Sequence, residues 1–207
     1  MKKILFYLIA AILSFLPISL HTSSFSTFCK NLSFTHALFP DRDEVPKPDQ
    51  IALDIIDETS ELLKKKYGIN PCGIGMSGKF EHLSIDFKVY RSLSKEQARM
   101  ILVDCVGIFL SQINHCAQIR PHLKPYPFTN KNVGITLFIS EPGDKSIYHP
   151  AISVASWSSE GVHFRTLDPD KFFGYKEKQN ETHAEALALA AQYEVELAQS
   201  SVQPSDK

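Results

Sequence analysis

Four residues of this sequence, Cys72, His122, His149 and His163, have side chains that could serve as nucleophile or general base. A cysteine thiolate attacks electrophilic carbon, and an imidazole takes up and returns protons near neutral pH. No local motif joins them, because the sequence has no Gly-x-Ser-x-Gly elbow, no His-Glu-x-x-His helix and no Cys-x-x-Cys pair. A hydrolase whose site the fold gathers from these four residues is therefore the alternative hypothesis for function.

Residues 73–78, Gly-Ile-Gly-Met-Ser-Gly, match the Gly-x-Gly-x-x-Gly pattern of dinucleotide-binding proteins. In those proteins a strand precedes the glycines and a helix follows them, so that backbone N–H groups and the helix dipole meet a phosphate. Here a predicted helix precedes the glycines and a predicted strand follows them. We therefore expect no nucleotide cofactor, and we interpret residues 73–78 as a flexible loop or as a glycine-rich edge strand with a bulge.

The eight histidines form no local metal-binding pattern, since none lies four residues from another. A metal site would need the fold to gather His122, His149 and His163. Scattered histidines are ordinary in surface loops. The leading hypothesis therefore assigns no catalytic, cofactor-binding or metal-binding residue and no cofactor.

Two predicted surfaces, the loop 120–128 and the solvent-facing side of the sheet, have the composition of binding surfaces rather than of catalytic sites. In the loop 120–128, prolines stiffen a frame that carries aromatic side chains, which lowers the entropy cost of binding. The solvent-facing side of the predicted sheet carries aromatic residues and arginine, which are favoured in contacts. The alternative for the loop is that Tyr126 and Phe128 pin it to the core. The predicted partner surface consists of Arg120, His122, Tyr126, Phe128, His163 and Arg165, and the sheet side adds Phe138, Tyr90 and Trp157.

Three helices are predicted from apolar residues at helical spacing. The first covers residues 49–63 and stops by Gly68. The second opens with the capping box Ser94-Lys-Glu-Gln97 and runs to Arg120, because the residue before a proline avoids the helical conformation. The third opens with the capping box Thr182-His-Ala-Glu185 and continues to about residue 199.

Four strands are predicted, at residues 83–90, 133–139, 151–157 and 162–167. The first alternates strictly between apolar and polar residues, so one face is covered and the other is wet, which favours antiparallel pairing. The order α-β-α-β-β-β-α predicts an α+β fold: a mostly antiparallel four-stranded sheet with helices packed on one face.

The net charge of the chain argues against binding to nucleic acid. The formal net charge is −1 and no large Lys/Arg patch is present, so we expect no nucleic-acid partner.

Cys105 and Cys116 lie eleven residues apart on the predicted second helix. At 1.5 Å rise per residue they would be ~16 Å apart, too far for a disulfide. We expect both to be small buried apolar residues.

Residues 1–24 have the pattern of an export signal. Lys2 and Lys3 precede an apolar run at residues 4–20, and Pro17 with the polar residues after it favours a cleaved signal peptide over an uncleaved N-terminal anchor. We predict a tether at 25–45, a single α+β domain at 46–176, and a C-terminal helix with a short polar tail at 177–207. The protein would be periplasmic or secreted, or tethered to the inner membrane, with membrane contact only through an uncleaved 1–24.

Several stretches resemble exported proteins of intracellular Gram-negative bacteria that have no assigned activity: Ser94-Lys-Glu-Gln-Ala-Arg, Ile113-Asn114, Ile119-Arg-Pro-His-Leu, Tyr126-Pro-Phe-Thr and Glu181-Thr-His-Ala-Glu-Ala. The resemblance covers the central part of the chain and implies a cell-envelope setting. The leading hypothesis is thus a non-enzymatic exported protein that binds a protein or another envelope component. The alternative hydrolase would act on envelope material.

Overall fold

The computed structural model describes residues 47–78, 80–171 and 174–200. The predicted signal peptide or anchor and the predicted tether lie outside the described residues. Helix α1, Pro48–Tyr67, begins with a proline, whose missing N–H costs nothing in the first turn. It ends at Gly68, whose φ of 65° is left-handed and therefore suits glycine. The first predicted helix and its stop are confirmed.

The two other predicted helices are present, with their capping boxes. In α2, Lys95–His115, the Gln97 N–H donates to Ser94 Oγ and the Ser94 N–H donates to the Gln97 side chain. In α3, His183–Ser200, the backbone N–H groups at 182 and 185 donate to each other's side-chain oxygens in the same way. Each box satisfies donors that the first helical turn leaves without partners.

Helix α2 ends earlier than predicted. The structure ends it at His115, and Cys116 is already extended, with ψ 105°. The guanidinium of Arg120 donates to the carbonyl oxygens of Asn114 and His115, at 3.2 and 3.4 Å. Arg120 thereby caps the helix from outside, and Arg120–His122 forms a separate 3-10 turn.

Seven strands form one mixed sheet: β1 (Asn70–Met76), β2 (Leu83–Val89), β3 (Val133–Glu141), β4 (Lys145–Ser146), β5 (Val154–Ser158), β6 (Gly161–Leu167) and β7 (Tyr175–Glu181). The α+β class is confirmed, and the four predicted strands are present as β2, β3, β5 and β6. The prediction of only four strands is wrong. β1 is glycine-rich, β4 has two residues and β7 is polar after Tyr175, so none shows the alternation that marks a half-buried strand.

The strand order is β1-β2-β3-β5-β6-β7, with β4 beside β3. Strands β2 and β3 are parallel, from Leu83 opposite Val133 to Val89 opposite Ile139, and α2 is the crossover between them. A parallel pair needs such a crossover, because the chain must return to the same end of the sheet. The other neighbouring pairs are antiparallel.

The core lies between one face of the sheet and the three helices. Leu83, Ile85, Phe87 and Val89 of β2 are each 0% exposed, while the residues between them are only half-buried. Cys105 of α2 is also 0% exposed, as expected, whereas Cys116 follows the end of the helix and is only partly buried, unlike the prediction. The other face of the sheet, here called the open face, carries no described helix.

Residues 73–76 of the glycine motif lie on edge strand β1, which has a bulge between Pro71 and Gly73, and Gly78 lies in the turn that follows. This confirms the second interpretation of residues 73–78. A Cβ at Gly73 would lie 2.9 Å from Asp86 Oδ2, and a Cβ at Gly75 would clash with Ser84 Oγ. At Gly73 and Gly75, side chains of β2 occupy the space that a Cβ would need, which favours glycine at these two positions.

The two edges of the sheet differ in character. On β1 the apolar side chains of Ile74 and Met76 are 54% and 37% exposed. On β7, Lys176, Glu177 and Lys178 follow one another. The predicted boundary between the α+β domain and the C-terminal helix, between residues 176 and 177, falls inside β7. The C-terminal helix therefore directly follows a strand of the sheet.

Candidate functional site

A cavity of about 560 Å³ opens between the first turn of α2, the segment before β5, and strands β6 and β7. Small-ligand sites commonly measure about 300–1,000 Å³. One side of this cavity is polar and the other is apolar. The residues that define its character are Leu93, Lys95, Ile152, Phe164, Glu177 and Gln179.

On the polar side, hydrogen bonds connect the side chains of Lys95, Gln179 and Glu177, which together are called the polar wall. Lys95 Nζ donates to Gln179 Oε1 at 2.7 Å, and Gln179 Nε2 donates to Glu177 Oε1 at 2.6 Å. Glu177 and Gln179 share one face of β7 because they are two residues apart. The side chains of Lys95 and Glu177 are 29% and 44% exposed. Opposite charges therefore stand at the two ends of the wall, and both remain accessible.

A buried ion pair holds Lys95 in place. Lys95 Nζ lies 2.8 Å from Glu181 Oε1, and Arg99 donates to both oxygens of the same carboxylate, at 2.7 and 2.8 Å. Burial raises the pKa of Glu181, but the hydrogen bonds from Arg99 and Lys95 outweigh it and hold this pKa below its ordinary value. One carboxylate thus contacts both cations, and the Lys95 side chain stays 29% exposed at the cavity.

The apolar side of the cavity includes Leu93 and Phe164, which are 7% and 2% exposed. The Lys95 ammonium lies over the Phe164 ring, 5.0 Å from its centroid. This is the distance range of a cation–π contact. The aromatic face thus joins the polar wall to the apolar side.

His149, from the hydrolase hypothesis, lies beside this cavity. Its Nδ1 is 3.2 Å from Thr166 Oγ1 and 3.8 Å from Glu177 Oε2. Thr166 is buried on the same side of β6 as Phe164, at alternate positions of the strand. His149 is therefore on the helix-covered side of the sheet.

The fold keeps the other residues of the hydrolase hypothesis apart. His163 lies on the open face, because it alternates with Phe164. Cys72 is on β1, four strands from His163 in the sheet order, or about 19 Å at the usual strand spacing. His122 lies in the 3-10 turn. These residues do not form one site with His149.

Cys72 also lacks the environment of a reactive thiol. Its side chain is exposed, but burial of part of the residue and the nearby Asp86 carboxylate raise the pKa of the thiol. A raised pKa leaves less thiolate at neutral pH, and the thiolate is the nucleophile.

Only some side chains of the loop 120–128 are exposed to solvent. Tyr126 is 47% exposed, with the Arg120 guanidinium 5.7 Å from its ring centroid, and His122 is exposed beside Phe80. Phe128 is 3% exposed, so its place on the predicted partner surface is wrong. The reason is Asn114, whose side chain exchanges two hydrogen bonds, 2.8 and 2.9 Å, with the Phe128 backbone.

The open face carries most of the residues predicted for it. Phe138 is 42% exposed, and His163 and Arg165 are half-buried on β6. Trp157 is not on this face. It is 2% exposed, and it pairs with Ile135 of β3 on the core side, where its Nε1 donates to the Asn130 carbonyl at 2.8 Å.

The sequence interpretation missed the residues of the polar wall. A signal was present: Glu177, Gln179 and Glu181 are acceptors at alternate positions, and Lys95 and Arg99 are cations one helical turn apart. Complementary charges at strand spacing and at helix spacing indicate a helix packed on a strand.

Within residues 47–78, 80–171 and 174–200, no group of three or more His, Cys, Asp or Glu side chains is placed to hold a metal ion. No helix in this part of the chain has the length and apolar character needed to cross a membrane. Comparison of the chain with protein-family models, curated proteins and solved structures finds no match.

Proposed function

We propose that this protein is exported and acts by binding a small component of the cell envelope in the cavity beside α2. One observation carries the proposal: a cavity of about 560 Å³ is lined by the cation and the carboxylate of the polar wall together with apolar side chains. Apolar lining with a few placed polar groups is the usual character of ligand sites.

The ligand that fits this chemistry has an apolar body and carries both a carboxylate and an ammonium group, as a short peptide does. Lys95 has a third N–H beyond those given to Gln179 and Glu181. Glu177 uses one oxygen for Gln179, and its second oxygen is available as an acceptor. The ligand carboxylate would bind at Lys95 and the ligand ammonium at Glu177, with apolar side chains against Leu93 and Ile152.

Export rests on residues 1–24, where Lys2 and Lys3 precede the apolar run. The intact mass of the protein recovered from the envelope fraction of expressing cells tests this part. A chain that lacks the signal supports export with cleavage. A chain that begins at Met1 and is found in the cytoplasm contradicts it.

The dipeptide Leu-Leu tests the binding site by isothermal titration calorimetry. We expect binding that weakens about tenfold or more in Lys95→Met and in Glu177→Gln, since a hydrogen bond to a charged group contributes about 1.5–3 kcal/mol. Lys64→Met, at an exposed helical ion pair, is the matched control and should bind like the unaltered protein. N-acetyl-Leu-Leu-amide should not bind, because it lacks both charges. Equal binding of the free and capped dipeptides, or no binding of either, would contradict the proposed ligand chemistry.

A further inference from the structure

Three side chains of the open face form a hydrogen-bonded line that is separate from the cavity. His163 Nε2 lies 3.1 Å from Ser158 Oγ, and His163 Nδ1 lies 3.0 Å from Asn180 Oδ1. These residues are on β5, β6 and β7, and the register places His163 directly opposite Asn180. We call this line the Ser158 network. A hydroxyl, an imidazole and an orienting group in this order are the parts of a catalytic triad.

Arg165 determines where the imidazole proton lies. Its Nη1 lies 2.9 Å from Asn180 Oδ1 and equally close to the carbonyl oxygens of Phe164 and Gln179, so the atom of Asn180 that faces this donor is taken as the amide oxygen. An amide oxygen only accepts hydrogen bonds, so His163 Nδ1 must be the donor. In the neutral ring, Nε2 then has a free lone pair, which can accept the hydrogen bond of the Ser158 hydroxyl. This is the tautomer that a general base for a serine requires.

The surroundings of Ser158 favour its role as a nucleophile. Its hydroxyl lies closer to His163 Nε2, at 3.1 Å, than to the Gly161 carbonyl, at 3.4 Å. The backbone N–H of Glu160 donates to Ser158 Oγ at 3.2 Å and helps to hold this oxygen in position.

The backbone of Ser158 is held firmly as well. The ring of His183 donates from Nε2 to the Ser158 carbonyl at 2.8 Å and stacks on Trp157 at a centroid distance of 4.5 Å. A nucleophile and its base are effective when such contacts keep them in one geometry.

We infer that Ser158 and His163 form a nucleophile and general base for acyl transfer from esters, with Asn180 and Arg165 as positioning residues. Ser158 Oγ bonds to the ester carbonyl carbon while its proton moves to His163 Nε2. The bond from that carbon to the leaving oxygen then breaks, and the leaving oxygen takes the proton from His163. Water repeats both steps on the acyl-serine, which releases the carboxylic acid and restores Ser158. Because both groups are half-buried on a sheet face, the substrate must be an accessible ester.

A fluorophosphonate probe tests the nucleophile directly, because it bonds to an activated serine oxygen with loss of fluoride. The readout is the rate of adduct formation at each serine, followed by intact mass and peptide mapping of the full chain. Ser156 is the matched control, since it lies opposite His163 across the β5–β6 pair. We expect Ser158 to react at least tenfold faster than Ser156, and we expect His163→Ala to slow it at least tenfold. Equal rates at the two serines, or an unchanged rate in His163→Ala, would show that the network only stabilises the hairpin and would overturn the inference.

Variants of Asn180 separate positioning from folding. Asn180→Asp keeps an acceptor oxygen at His163 and should retain labelling within about threefold, whereas Asn180→Ala should lower it about tenfold. The melting temperature of each variant is measured in parallel. If Asn180→Ala lowers the melting temperature but leaves the labelling rate of the folded protein unchanged, Asn180 has no positioning role and the triad assignment fails.

Discussion

Arg99 on α2 and Glu181 on β7 form a two-bonded ion pair, with Nε to Oε2 at 2.8 Å and Nη2 to Oε1 at 2.7 Å. Their side chains are 5% and 9% exposed. The pair fastens the central helix to the last strand, and the same carboxylate anchors Lys95 at the cavity. One side chain therefore contributes both to the fold and to the proposed ligand site.

Glu181→Gln should lower the free energy of unfolding by about 3 kcal/mol, since removal of one partner leaves a buried charge uncompensated. Urea unfolding at neutral pH measures the change. Glu61→Gln is the control, because its ion pair with Lys64 is exposed and contributes less than about 1 kcal/mol. A loss for Glu181→Gln no larger than that for Glu61→Gln would contradict the role given to this pair.

The same carboxylate predicts an acid-sensitive part of the stability. The pKa of Glu181 is lower in the folded protein than its ordinary value, so the folded state favours the charged form. Its contribution is full above the unfolded-state pKa of about 4.3 and is lost as pH falls through the folded pKa. The stability difference between the unaltered protein and Glu181→Gln should therefore shrink as pH is lowered from 6 to 3. A difference that stays constant over this range would count against the pairing.

The loop 120–128 offers a test of which aromatic residue serves the fold. Phe128→Ala should lower the free energy of unfolding by about 3–5 kcal/mol, because it removes a buried aromatic side chain and leaves a cavity. Tyr126→Ala, at an exposed position, should change stability by less than about 0.5 kcal/mol. Thermal and urea unfolding measure both stability changes.

Tyr126→Ala is consequently the variant to use in cellular crosslinking, where loss of a crosslinked partner would assign Tyr126 to a binding surface. Retention of every partner would remove the loop from the proposed surfaces.

The close contact between Gly75 and Ser84 can be tested by a double substitution. Gly75→Ala should destabilise the protein by about 1–3 kcal/mol, because its Cβ clashes with Ser84 Oγ. Ser84→Ala removes that oxygen and leaves a Cβ 3.7 Å away, so the double variant should recover most of the loss. Gly107→Ala is the control. Nothing lies within 4 Å of its added Cβ in α2, and it should stabilise by about 0.5–1 kcal/mol. Failure of Ser84→Ala to rescue would contradict the steric origin of the glycine.

The cysteines should differ in reactivity toward iodoacetamide. Burial, and to a lesser degree the Asp104 carboxylate, raises the pKa of Cys105, so this thiol should remain unmodified in the native protein. Cys72 is exposed and should react, more slowly than a free cysteine because its pKa is raised. Asp86→Asn removes one cause of that rise and should speed the reaction. Peptide mapping after timed quenching measures each site, and modification of Cys105 in folded protein would contradict its burial.

The sequence predicts the elements whose local pattern agrees with their final environment. Ser94 and Thr182 begin helices because the capping box is a local signal, and β2 is recognised because one of its faces is buried. The α+β class and the placement of helices on one face follow from these elements.

The missed features depend on contacts between distant parts of the chain. β7 is a strand because it pairs with β6 and accepts hydrogen bonds from Lys95 and Arg99 on α2. The end of α2 depends on Arg120, which caps it from beyond the helix. The cavity and the Ser158 network both use β7, so neither could be recognised while this strand was missing from the prediction.

The unlike edges of the sheet limit how this protein can associate with itself. An extended segment can add to β1, where the exposed side chains are apolar, but the consecutive charges of β7 oppose such addition. Edge-to-edge growth needs two receptive edges on each molecule. With one receptive edge, two copies can join β1 to β1 around a two-fold axis, and the assembly is then closed. The charges on β7 of the described sheet therefore favour a closed pair over open-ended stacking.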